Sequence, residues 1–219
     1  SSMKSDILLS KGYLDSALYL INKQYSMVEG YLINKKSNDL RHKNLEITLF
    51  RGNYNNLVNE LDSLINDSDL NDENYNDLLE LKMVSLFFKE DIELFEKYTS
   101  ILYKLKLNKN FEAALDLIDL VNSENILISE LAQFQYALIE LQKGNTDNVQ
   151  KIISEINSNT VYYEISLILN AEIEDYIKQN YDNAIKLYEI IIDKFPNTIF
   201  KEDIIKRLNE LNKLKDLEL

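Results

Sequence analysis

The sequence predicts an all-α chain of antiparallel helix pairs stacked in succession. Three observations predict it. Glycine and proline number only 4 and 1 in 219 residues, and hairpins and tight turns consume both where long helices do not. Apolar side chains recur at helical spacing: Ala184, Leu187, Tyr188, Ile191, Ile192 and Phe195 form one stripe of an amphipathic helix. Finally, a turn-and-helix pattern returns along the chain as GYLDSAL (12–18), GNYNNLV (52–58), KNFEAAL (109–115), GNTDNVQ (144–150) and QNYDNAI (179–185). In this overlay Ala17, Leu57, Ala114, Val149 and Ala184 share one position, at intervals of 40, 57, 35 and 35 residues.

The elements follow in order. A short helix over 3–10 runs into Gly12, and a second over 14–29 carries Leu14, Ala17, Leu18, Ile21, Tyr25 and Val28, with Gly30 ending it. Gly12, Gly52 and Gly144 each stand five residues before the shared position, where a glycine can end one helix in left-handed geometry and start the next. Helices over 38–50 and 55–66 flank Gly52. The long interval between Leu57 and Ala114 holds an extra helix pair, 74–88 and 91–106, that breaks the period. Helices over 111–122, 126–142, 147–157 and 161–178 continue the series. The helix over 181–195 ends before Pro196, the chain's one proline, which cannot continue a helix and disfavours helical geometry at Phe195. Near the N-terminus of the helix at 161, Tyr162 and Tyr163 are adjacent and cannot share a face. The last helix, over 199–215, sets Ile204, Ile205, Leu208 and Leu211 against a charged opposite face and reads as a cap over the final pair.

This pattern resembles the tetratricopeptide repeat, in which two antiparallel helices recur every 34 residues or so. Tyr181, Ala184, Tyr188 and Pro196 fall on that repeat's aromatic, small, aromatic and proline positions, and the likeness is clearest over 127–215. The tail AEIEDYIKQNYDNAIKLYEIIIDKFPN also looks like the final repeat of bacterial multi-repeat proteins, many of the envelope. The resemblance implies a right-handed α-solenoid in one domain over 1–219, with degenerate repeats to 122 and two better-formed repeats plus a cap beyond. It also implies that Ala184 is small because helices crowd there. Ser1-Ser2 before Met3 reads as an addition, so a longer natural protein is expected, in the envelope or the cytoplasm.

A net charge of −13 repels phosphate backbones and anionic lipid and favours a basic or apolar protein partner. No run approaches the roughly 20 apolar residues that cross a bilayer. Without cysteine there is no disulfide or thiolate chemistry. No Gly-rich phosphate loop or nucleophile elbow occurs. His42, the only histidine, stands between Arg41 and Lys43 and is expected at the surface. The basic stretch 34–43, with Lys35, Lys36, Arg41 and Lys43, is expected to be a solvated loop. In NDSDLNDENYND (66–77), Asp67, Asp69 and Asn71 match the start of a calcium loop, but Asp72 replaces the turn glycine and Leu78 the bidentate glutamate. An inter-helix loop whose Asn and Asp side chains cap the next helix is expected instead. The helix over 126–142 offers Glu130, Gln133, Gln135, Glu140 and Gln142 and no cation, unlike the basic carboxylate clamp of the family. The expectation is a non-catalytic scaffold without cofactors that holds another protein or peptide within a larger assembly; the alternatives are a self-associating envelope repeat module and a regulatory domain of an enzyme.

Overall fold

The computed structural model describes residues 2–28, 35–70 and 72–217, with side chains over 4–24, 39–70 and 72–214. Gly30 and Asn71 lie outside them, as do the side chains of Tyr25, Val28, Lys35 and Lys36. The chain is all-helical among the described residues: α1 (Ser2–Ser10), α2 (Leu14–Val28), α3 (Lys35–Phe50), α4 (Tyr54–Asp67), α5 (Tyr75–Phe87), α6 (Ile92–Lys106), α7 (Asn110–Val121), α8 (Ile126–Gln142), α9 (Thr146–Ser154), α10 (Tyr162–Glu172), α11 (Tyr181–Lys194) and α12 (Lys201–Leu217). A five-residue π-helical turn, Ile173–Ile177, extends α10. The chain divides into two compact units, 1–128 and 129–219.

A common turn joins the helices of a pair. Gly12, Gly52 and Gly144 have φ of 85°, 68° and 79°, the left-handed region that glycine enters without cost to a side chain. Asn108 and Gln179 take the same conformation, at φ 57° and 53°. One residue past the turn an N–H closes back across it: Tyr13 to the Leu8 carbonyl, Lys109 to that of Lys104 and Asn145 to that of Glu140, at 2.9, 2.9 and 3.0 Å. This is the Schellman closure of a helix C-terminus. Four residues further on, a fully buried side chain enters the core: Ala17, Leu57, Ala113, Val149 and Ala184, each 0% exposed. The third of these corrects the overlay by one residue. The left-handed residue is Asn108, so the crowded position is Ala113 rather than Ala114, and the intervals become 40, 56, 36 and 35 residues. Asparagine can adopt this conformation with little penalty, so the turn there needs no glycine.

In the first unit α1, α2, α3, α4 and α5 pack successively, each on the next. Leu9, Ala17, Ile21, Leu40 and Ile47 form one core. A second centres on Phe88, whose ring lies 5.0 Å from Tyr98 and 5.9 Å from Phe95. Here the predicted extra pair resolves differently. α6 packs with α7 and also against α3 and α4, and Tyr103 on α6 donates to the Leu9 carbonyl at 2.9 Å. α5 packs on α4, so the period is broken by a single inserted helix rather than a pair.

In the second unit α10 packs on α11, and α11 on α12. Ala171, Ala184, Ile185, Tyr188, Ile191, Ile204 and Leu211 make their shared core. The apolar stripe of α12 is thus largely covered, with Ile205 left exposed. Tyr181 packs at the edge of this core. After α11, Phe195 leaves helical geometry, exposed Pro196 turns the chain, and the Pro196 carbonyl accepts from Lys201 at 2.9 Å. Of the adjacent tyrosines, Tyr162 is buried, while Tyr163 turns outward to Phe195 and Lys194.

Candidate interaction surfaces

The polar groups singled out in the sequence serve the fold. On α8, Glu130 is buried and accepts from the Asn157 N–H at 2.9 Å, bracing the loop after α9. Glu140 is also buried and accepts from Lys143, Asn145 and Asn148 at 2.7, 2.8 and 3.0 Å. The Lys143 bond leads these contacts in pulling its pKa down to about 2. Glu140 thereby ties the end of α8 to the start of α9, where anionic groups also suit the helix dipole. Gln133 and Gln135 are half-buried, and Gln142 is exposed.

The predicted basic loop is helical from Lys35 onward. Two of its cations are met by acids from neighbouring helices: Arg41 pairs with Asp67 at 2.9 Å and Lys43 with Asp6 at 2.6 Å. Those partners are distant in sequence, which is why the stretch reads as an unpaired basic island. His42 is half-exposed beside them. In the acidic segment, Asp72 Oδ1 accepts from the Asn74 N–H at 3.1 Å, so one aspartate of the loop does shape the entry to α5. Asn74 itself, at the N-cap of α5, makes no side-chain capping bond. Leu78 is buried on α5. Among the described residues no group of three or more His, Cys, Asp or Glu side chains could hold a metal ion, and no helix is long and apolar enough to cross a membrane.

The sequence reading missed the charged centre of the second unit. In a continuous α-helix over 161–178, Tyr176 and Ile177 would return to the face of Ile173. The π-helical turn adds a residue to the coil, and the Lys178 N–H reaches back to the Ile173 carbonyl at 2.9 Å. Glu174 and Asp175 are therefore buried while Tyr176 and Ile177 are exposed. Asp175 takes two bonds from Arg207 of α12, at 2.7 and 2.8 Å, and one from the Tyr188 hydroxyl at 3.2 Å. Burial, followed by the Asp175 charge, holds the Tyr188 hydroxyl well above its usual range. The Arg207 guanidinium also lies 5.0 Å from the Tyr176 ring centre. Burial alone would raise the pKa of Glu174. Bonds from Gln150, Asn183 and Asn180, with the Lys178 charge, outweigh that and hold it below the usual range. Both carboxylates are consumed by internal partners, so their chemistry is structural.

The fold also leaves large apolar side chains uncovered. On α7, Phe111, Leu115 and Ile118 are 71%, 51% and 48% exposed. Their spacing of i, i+4 and i+7 places them along one helix face. Glu112, Asp116 and Asp119 lie between and beside them, paired with Lys109, Lys104 and Lys97. A second exposed set with the same spacing, Leu79, Met83 and Leu86, runs along α5. No family model, curated protein or solved structure matches the chain.

Proposed function

We propose that this protein is a non-catalytic helical-repeat scaffold that holds another protein through apolar side chains presented on its helices. The carrying observation is the α7 stripe, three large apolar residues in register and about half or more exposed. Contiguous apolar surface of this kind is characteristic of protein-binding sites. The net charge of −13 favours a partner with basic residues around an apolar anchor. The carboxylates with displaced pKa values on α8 and the π-helical turn are all bound within the fold, which leaves catalysis without support from them.

The test compares the wild-type chain with a Leu115→Lys/Ile118→Lys variant in quantitative affinity capture from the native organism, with light scattering in parallel. One protein retained by the wild type and lost by a variant of unchanged helicity supports the proposal. Unchanged capture refutes the α7 surface. A wild-type dimer that the variant converts to monomer means that a second copy occupies the stripe.

A further inference from the structure

The first unit contains a concavity of about 460 Å³ between α2, α3 and α4, within the size range of small-ligand sites. Its apolar wall is made by Ile21, Leu40 and Leu64, each nearly inaccessible to solvent. Its polar side is dominated by acceptors. Glu60 on α4 accepts from Asn44 Nδ2 at 3.0 Å and Thr48 Oγ1 at 3.1 Å, both at the same oxygen, Oε1. Among the described residues nothing donates to the second oxygen of Glu60 and no cation pairs with the group. Asn44 Oδ1 is buried and accepts none either. The one cation among the described lining residues, Arg41, is spent on Asp67 and Ser63, each at 2.9 Å. The described lining residues therefore carry one net negative charge (Arg41 against Glu60 and Asp67). Its under-compensated member is Glu60, whose pKa is pushed up by burial despite the two bonds. A half-buried carboxylate without a counter-charge is unfavourable unless a partner supplies one.

We infer that this concavity binds a primary alkylammonium group, with the nitrogen on Glu60 and the alkyl chain along Ile21, Leu40 and Leu64. An ammonium brings the missing positive charge and several N–H donors on one compact atom. An anionic ligand would have to displace Asp67 from Arg41 and would face Glu60. The amine is either the side chain of a lysine or a free aliphatic amine; both present the same group. This site is independent of the α7 stripe.

The test is chemical-shift titration of the full chain with 1,5-diaminopentane, with N-acetyl-lysine N-methylamide and with 1-pentanol. Saturable shifts at α2, α3 and α4 are expected with amines and not with the alcohol. A lysine amide that binds at least as tightly as the diamine identifies a protein side chain as the source; a diamine that binds alone identifies a free amine. Glu60→Gln should weaken amine binding roughly tenfold to a hundredfold, the scale of one charge-assisted hydrogen bond. The substitution removes an under-compensated charge, so folding should persist. Asn22→Phe, at an exposed residue of the lining, should block binding while leaving Glu60 in place. No amine binding, equal binding of the alcohol, or full binding by either variant would overturn the inference.

Discussion

Replacing Arg207 by alanine should be among the most damaging single changes in the second unit. Arg207 pairs with Asp175 through two bonds at 2.7 and 2.8 Å, and the Asp175 side chain is wholly inaccessible to solvent. Removal of the guanidinium leaves the carboxylate buried with only the Tyr188 hydroxyl as hydrogen-bond donor. Breaking a buried pair from one side typically costs about 3–5 kcal/mol. For a chain of this size each kcal/mol is roughly 2–4 °C in melting temperature, so a fall of about 6–20 °C is expected. The double variant Asp175→Asn/Arg207→Ala should recover much of that loss. An asparagine at 175 carries no charge to strand and can still accept from Tyr188. The assay is urea unfolding followed by circular dichroism on wild type, both single variants and the double, with hydrogen exchange to locate the change. Exchange should accelerate first in α12 and the π-helical turn. A cost below about 1 kcal/mol for Arg207→Ala would place the pair in the range of solvent-exposed ion pairs and refute the reasoning. Strict additivity of the single costs would refute it equally, since coupled neighbours do not add.

Three further outcomes are expected. Ala184→Leu should destabilise the second unit by about 1–3 kcal/mol, the usual cost of overpacking; an unchanged melting curve would mean that this fully buried site has room. Gly52→Ala should cost more than Gly144→Ala. Both leave a side chain in left-handed geometry, worth about 1–2 kcal/mol, but the new Cβ at 52 meets Thr99 Oγ1 at 3.1 Å and Glu96 Cγ at 3.2 Å, whereas at 144 it meets nothing within 4 Å; equal costs in thermal melts would show that the α6 neighbours yield freely. Glu140, with its pKa lowered to about 2, contributes stability that is fully present above its unfolded value of about 4.3 and is lost as pH falls through the folded value. The stability gap between wild type and Glu140→Gln should therefore narrow between about pH 4.5 and 2 in urea titrations, and a pH-independent gap would contradict the assignment.

Local chemistry was legible in the sequence. The course of the helices follows from apolar spacing and from the turn residues that interrupt it, and both act over a few neighbours. Gly12, Gly52 and Gly144 marked three turns because left-handed backbone penalises most other residues. Pro196 marked the end of α11 for an equally local reason. The exposed stripe on α7 was readable only in part. Phe111, Leu115 and Ile118 share a face by spacing, but Ala113, Leu117 and Leu120 compete for burial on the same short helix, and neighbouring helices decide which face wins.

The features that only tertiary structure decided rest on partners far apart in the chain. Asn108 and Gln179 adopt the turn without glycine, and the position of the Asn108 turn moves the crowded position from Ala114 to Ala113. α6 joins α7 and reaches α3 and α4 across the fold, while α5 packs on α4. The inward rotation of Glu174 and Asp175 and the outward rotation of Tyr176 and Ile177 reverse what helical periodicity dictates. Asp175 is tolerable inside only because Arg207, 32 residues away, supplies its counter-charge. The pair and the Tyr188 that bonds one of its members are spread over residues 175–207, further than helical periodicity reaches, and a buried charge is stable or ruinous according to partners of this kind.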